Sequence, residues 1–359
     1  MIRHTKLLFT GITLLAFFSC KKHQETPQSS STTSASTILS DVATNVIYGV
    51  YSDLYIKSIS LDSAAQAFAA NPSDASFSNV KSAWYNVRAR YEMSECVLFG
   101  PAVYLNVDPS LDTWPVDTAG IDKIVNDTNS LTSSYAASLD PTLVGFHAVE
   151  FLLFGGNGQK TASEFSTRQL QYLTALTADA RSNAQQLQEA WSATGQDYIS
   201  NFTNAGQAGK SSYPTVNAAF QELVDASQSI AFQVAVQKID SAMKYPYDQE
   251  SYFSNNTKND LIYNIQGIQN VYTGQYFSVK GAGLHDWVAP RNAKLDSTIT
   301  AQINASITAL VDMPCSFTDA ISPSSLCNPQ LKKAQAAIDT LSSTLQNKLI
   351  PFINQTITN

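Results

Sequence analysis

The chain has 359 residues, enough for two domains at roughly 150 residues each. Charged residues make up 14% and hydrophobic ones 44%, which excludes wholesale disorder and leaves material for a sizeable core. The net charge of −7 and a pI of about 5.1 exclude the basic stripe of a nucleic-acid binder, so no nucleic-acid partner is expected.

The chain opens on a basic start (Arg3, His4, Lys6), an apolar stretch from Leu7 to Phe18, and then Ser19-Cys20. This reads as a secretory signal peptide over residues 1–19. A small residue directly before a cysteine resembles a bacterial lipoprotein cleavage site, which makes Cys20 the expected lipid attachment point and the membrane a partner through that anchor. A plain signal peptide cut elsewhere is the alternative. No later run reaches the roughly 18 apolar residues of a membrane span. Residues 20–37 read as a flexible tether, because nine of the seventeen residues in KKHQETPQSSSTTSAST are Ser or Thr. Removal of residues 1–19 takes away Arg3 and Lys6 and no acid, moving the net charge from −7 to −9.

Further along, several long windows contain neither Gly nor Pro, among them 50–71, 73–99, 121–140, 159–194, 215–245, 291–313 and 330–350. Their lengths suit helices and not strands. Apolar spacing agrees, with steps of three and four through Phe77, Val80, Trp84, Val87 and Tyr91, and again through Leu331, Ala334, Ile338, Leu341 and Leu345. The fold class is therefore all-α, as two antiparallel helical bundles packed together. Gly, Asn, Ser and Pro gather between Gly195 and Pro214, which places one bundle at 38–200 and the other at 210–357. Cys315 and Cys327 flank a loop rich in turn-forming residues and read as a disulfide in an oxidising compartment. Cys96 lies in an apolar helical stretch and reads as a buried, inert thiol.

Histidine counting narrows the chemistry. Only His147 and His285 lie in the fold, so a three-histidine zinc site is excluded within one chain. HExxH and GxSxG are both absent. His147 sits in DPTLVGFHAVEFLLFGG, where every residue from Leu143 to Phe154 is apolar or small except His147 and Glu150. A helix apolar all round is buried all round, so this pair, three apart on one face, is carried into an interior. A buried carboxylate needs a partner, a hydrogen bond or a metal. A purely structural core pair is the competing reading. Arg88 and Glu95 border the apolar stripe of WYNVRARYEMSECVLFGP, with Glu92 one turn from Arg88, and a surface Arg88–Glu92 ion pair is the alternative there. His147, Glu150, Glu95 and Arg88 around one polar cavity would suit a hard or borderline cation such as iron, calcium or zinc.

The stretch GFHAVEFLLFG resembles the GxHxxE signature of the imelysin family, also called the insulin-cleaving membrane protease family. WYNVRARYEMSECVLFGP, DTWP at Asp112–Pro115, ESYFSNNTKND at Glu250–Asp260 and GAGLHDWV at Gly281–Val288 fit the same resemblance. It implies a two-domain helical protein on a Gram-negative envelope, on the outer membrane or in the periplasm, with an iron transporter or receptor as partner. It also implies Glu250, Ser251 and Ser254 as neighbours of His147, Glu150, Arg88 and Glu95 near the domain junction. Two readings follow. The first is an iron-acquisition lipoprotein, with no catalytic residues, that binds a divalent metal, iron or an iron-bearing ligand. The second is a metallopeptidase in which His147, Glu150 and Glu95 ligate and Glu92 or Glu250 acts as base.

Overall fold

The computed structural model describes Met1 and residues 33–357, so the expected signal peptide and Cys20 lie outside the described residues. Helix begins at Ala35, inside the segment read as tether, because the Ser34 hydroxyl accepts the Thr37 N–H at 3.1 Å and caps Ala35–Asp41. The chain then passes through a π turn, Val42–Ile47, into α1 (Tyr48–Ala70). Next come α2 (Asp74–Ser94), the short α3 (Val107–Asp112), α4 (Gly145–Phe154) and α5 (Thr167–Trp191). Beyond residue 200 follow α6 (Val216–Phe232), α7 (Thr257–Thr273), α8 (Ala293–Val311) and α9 (Asn328–Thr344). Ser73 and Ser166 open α2 and α5 with reciprocal caps to Ser76 and Gln169.

Helix α1 packs against both α2 and α5, with α4 between α2 and α5 and α3 against both α4 and α5. Trp84, Trp191 and Tyr51 are fully buried there, and the Trp84 indole N–H donates to the Phe146 carbonyl at 2.9 Å, tying α2 to α4. Helices α6, α7, α8 and α9 form a second packed group, and α2 lies against α7 where the two groups meet. The described residues from 33 onward belong to one compact unit. One small hairpin, Gln275–Tyr276 with Val279–Lys280, interrupts the helices. Cys315 and Cys327 form a disulfide and Cys96 is a buried free thiol.

Two windows depart from expectation. The stretch 121–140 is not one helix: Thr118–Asn126 and Ser133–Ala136 are separated at Asp127. The Asp127 carboxylate accepts the Asn129 N–H at 2.9 Å and pairs with Arg168 at 2.7 Å. A short acid bonding to its own backbone two residues on competes with the helix ladder, and here it prevails. Conversely, α7 runs through Gly267, which cuts the glycine-free stretch 247–266 short in mid-helix. That glycine has a packing role: a Cβ would meet the Met93 carbonyl at 2.5 Å and Cys96 Sγ at 2.9 Å. Its absence lets α7 approach the end of α2 closely.

Candidate functional site

The polar residues converge where the two helix groups meet. Helix α2 supplies Arg88 and Glu92, and the turn after it, Glu95–Val97, supplies Glu95. Helix α3 ends in Asp112, and α4 carries His147 and Glu150. Lys238 closes a π turn, Gln233–Lys238, that continues α6. The segment before α7 brings Glu250, Ser251 and Ser254, and α7 itself brings Asp260 and Asn264.

Gly145, at the start of the GFHAVE run, explains how α3 reaches α4. Its φ is +78°, and a Cβ would stand 2.5 Å from the Leu111 carbonyl. Only a residue without a side chain lets the end of α3 abut the start of α4. Asp112 is thereby set beside His147.

Arg88 is fully buried and donates to both Asp112 and Glu92, with Glu250 3.7 Å away. The surface Arg88–Glu92 pair weighed from sequence is therefore a buried one, because the helix face that carries it packs against α4 and α7. His147 is also fully buried. Its Nδ1 lies 3.0 Å from Glu150 Oε2, and its Nε2 lies 3.2 Å from Asp112 Oδ1. Glu150 Oε1 accepts both the N–H and the hydroxyl of Ser254, at 2.8 and 2.7 Å. Both Glu150 oxygens are thus engaged, so it orients His147 rather than standing free as a ligand, the arrangement that fixes a metal-binding histidine from behind.

A second knot surrounds Lys238. Its Nζ donates to Glu95 Oε2 and Glu250 Oε1, both at 2.8 Å, and Glu92 lies 3.7 Å away. The Asn264 amide donates to Glu92 Oε2 at 2.7 Å and Glu95 Oε2 at 3.1 Å. Ser251 is fully buried, with its N–H on Thr257 Oγ1 at 3.3 Å and its hydroxyl unpaired. All eight residues read from the sequence thus lie in or against this network. Asp112, Lys238, Asp260 and Asn264 complete it. Asp112 stood in the DTWP stretch, and Asp260 in ESYFSNNTKND, without an assigned role. Nothing in the local pattern around Lys238 or Asn264 marks either residue.

Charge is out of balance here. Six carboxyl groups (Glu92, Glu95, Asp112, Glu150, Glu250, Asp260) face three basic ones (Arg88, Lys238, His147). Burial, helped by Glu250 and opposed by Lys238, pushes Glu95 up to about 8. Burial, against the pull of Arg88, pushes Asp260 up to about 7 and Glu92 well above the usual carboxylate range. Asp112 goes the other way: burial is outweighed by Arg88 and His147, which hold it at about 2. Burial and Arg88 would lower His147, yet Asp112 and Glu150 outweigh them and raise it to about 9. The surplus negative charge is met by protons in the protein alone, and a cation would meet it instead.

The buried polar atoms of this network that make no hydrogen bond include His147 Nε2, Glu250 Oε2, Arg88 Nε, Asp260 Oδ2 and the Ser251 hydroxyl, with Asp112 Oδ1 3.2 Å from His147 Nε2. Asp112, His147 and Glu250 each offer a donor atom, and these lie within 4.8 Å of one another. One imidazole with two carboxylates suits iron, manganese or zinc with open positions. The cleft beside them has a volume of about 410 Å³ and is lined by Glu95, Asp108, Asp112, Trp114, Lys238 and Glu250. His285, the other histidine of the fold, belongs elsewhere, with Nδ1 2.7 Å from Asp296.

An all-helical protein whose GxHxxE helix is buried at the meeting of two helix groups defines a class. The family model described as Imelysin, peptidase family M75, matches residues 47–346, and the chain belongs to that family. The chain is 30% identical over 302 residues to a Synechococcus elongatus protein named iron-regulated protein A, covering 82% of this chain and 80% of that one. In fold it is similar to a Parabacteroides distasonis protein described as an iron-regulated protein A precursor, with TM-score 0.79, 24% identity, and 90% and 97% of the two chains covered. An imelysin-like protein from Psychrobacter arcticum gives TM-score 0.70 at 14% identity over 89% and 95% of the chains. At those identities the two structures show the common fold alone.

Proposed function

We propose that the protein binds a divalent metal ion, iron foremost, through Asp112, His147 and Glu250, and serves iron acquisition at the cell envelope. The observation that carries this reading is His147 Nε2, which makes no well-formed hydrogen bond and lies 3.2 Å from Asp112 Oδ1 beside an acid-rich cleft, while Glu150 and Ser254 hold the ring from behind. Iron is favoured among metals because a relative 30% identical is named iron-regulated protein A. The Ser19-Cys20 junction supports a lipid anchor, and hence a place on the outer membrane facing the periplasm or the surface, where a transporter or receptor would receive the ion. An iron-bearing ligand held in the same cleft is the variant of this reading.

The peptidase reading has weaker support. Glu150 is occupied by His147 and Ser254, and Glu92 and Glu95 by Arg88, Lys238 and Asn264. A metallopeptidase needs a carboxylate free to take a proton from bound water, and Glu250, whose Oε2 is unpartnered, is itself a member of the donor set. Metal content after anaerobic loading with ferrous iron, with unfolded polypeptide supplied as substrate, separates the two. One iron per chain, lost in His147→Ala, with the polypeptide left intact supports binding. Cleavage that disappears with the metal would replace it with the enzyme.

A further inference from the structure

Beside the His147 donor set lies a second cluster. Glu92, Glu95, Asp112 and Glu250 each offer a carboxylate oxygen, all within 4.8 Å of one another. Lys238 Nζ sits among these side chains. It lies within hydrogen-bond distance of four oxygens: Glu95 Oε2 at 2.8 Å, Glu250 Oε1 at 2.8 Å, Glu95 Oε1 at 3.1 Å and Asn264 Oδ1 at 3.2 Å. Glu92 Oε2 follows at 3.7 Å. An ammonium group has three N–H bonds to give. The cage therefore holds more oxygens than its occupant can bond, an excess that suits a hard metal ion taking six or more oxygens. Glu250 Oε2 is left with no partner at all, on a side chain only 9% exposed.

Lys238 is also attached differently from the cage around it. The oxygens come from α2, the turn after it, α3, the segment before α7, and α7 itself. Lys238 comes from the π turn after α6, a helix irregularity that recurs at functional sites. Its side chain is 17% exposed and lines the open cleft. A flexible four-carbon stem at that mouth withdraws without moving any of the oxygens.

We infer that Glu92, Glu95, Asp112, Glu250 and Asn264 form a second cation position, adjoining the first through Asp112 and Glu250, which Lys238 keeps filled with its own ammonium group. This rests on the cation reading proposed above. The first position is a mixed nitrogen and oxygen set, whereas the second is all oxygen and takes a hard cation such as manganese(II), calcium or ferric iron. Lys238 thus sets the capacity of the cleft: one metal while it stays, two once it leaves.

The test is equilibrium dialysis of the full chain against manganese(II) chloride at neutral pH, with metal content read by elemental analysis. Wild type is expected to hold one manganese per chain and Lys238→Met two. The double variant His147→Ala/Lys238→Met is expected to hold one, at the oxygen cage alone. If Lys238→Met holds the same single ion as wild type, or if wild type already holds two, the inference is overturned. No manganese on wild type counts against the function proposed above, and Lys238→Met then judges the cage by itself, one ion supporting it and none overturning it. Should circular dichroism show Lys238→Met unfolded, Lys238→Gln replaces it, because the amide still donates to Glu95.

Discussion

The two halves of the buried network are built on different principles. Around His147, each contact has one evident role: Ser254 holds Glu150, Glu150 holds the imidazole, and the imidazole turns its other nitrogen to Asp112. Around Lys238, a single ammonium group is shared among carboxylates and an amide that outnumber its protons. The first half resembles a positioned ligand, the second a cation already in place. The comparison teaches that a buried acidic cluster does not say what balances it. The balancing group is identified by counting donors and acceptors atom by atom.

The largest expected effect breaks both halves together. Arg88→Ala removes the only buried guanidinium bonded to Asp112 and Glu92, and should destabilise the fold by about 3–5 kcal/mol in urea unfolding, the range for stranding a buried charge. A smaller loss is expected outside the network altogether. Opening the Cys315–Cys327 link, which spans 12 residues, with Cys315→Ser/Cys327→Ser should cost about 2–3 kcal/mol while leaving metal content unchanged. If that variant lost its metal, the network would not be independent of the loop. Within the His147 half, Ser254→Ala takes the hydroxyl from Glu150 but keeps the backbone N–H. Its stability cost should be about 1–2 kcal/mol. It should also weaken metal binding by about 10-fold, as loosened support behind a ligand does.

The gentlest probe is pH. Glu95 and Asp260, raised to about 8 and about 7 in the fold, keep protons that an unfolded chain gives up near 4. His147, raised to about 9, likewise holds its proton above the unfolded value of about 6.5. In each case the folded chain binds more protons than the unfolded one, so stability falls as pH rises from about 5 towards 9. The melting temperature of the metal-free chain should decline over that window, and bound metal should flatten the decline. A melting temperature that rises from pH 5 to 8 would mean that the carboxylates are better compensated than the charge count allows.

How much of this was legible in the sequence depended on the range of the signal. The helices that position the site were readable from apolar spacing, since α2 and α9 bury the stripes named from Phe77 to Tyr91 and from Leu331 to Leu341. The apolar helix around His147 announced two buried polar residues, because a helix with no wet face has nowhere else to put them. The partners were harder. Lys238 and Asn264 reach the site from the second helix group, on segments where alternating polar and apolar residues look like any amphipathic helix. Gly267 breaks the glycine-free stretch in the middle of α7, although its lack of a side chain is what brings Asn264 up to Glu92 and Glu95. The partners of Glu150 were out of reach for a related reason: a carboxylate three residues from a histidine reads equally as a ligand or a core pair, and Ser254, which bonds its other oxygen, lies 104 residues away.

The bond from Asn264 to Glu92 joins residues 172 positions apart, and those from Lys238 to Glu95 span 143. No stretch of chain that ends before residue 250 contains either complete donor set. On the metal reading proposed above, a growing polypeptide would therefore have no competent site before that point, and closing loops of that length is a late event in folding. Chelation, on the same reading, would wait until the chain through Asn264 is made and docked against the first helix group. On that reading, a chain exported unfolded would take its ion from the compartment where it folds and not from the one that synthesises it.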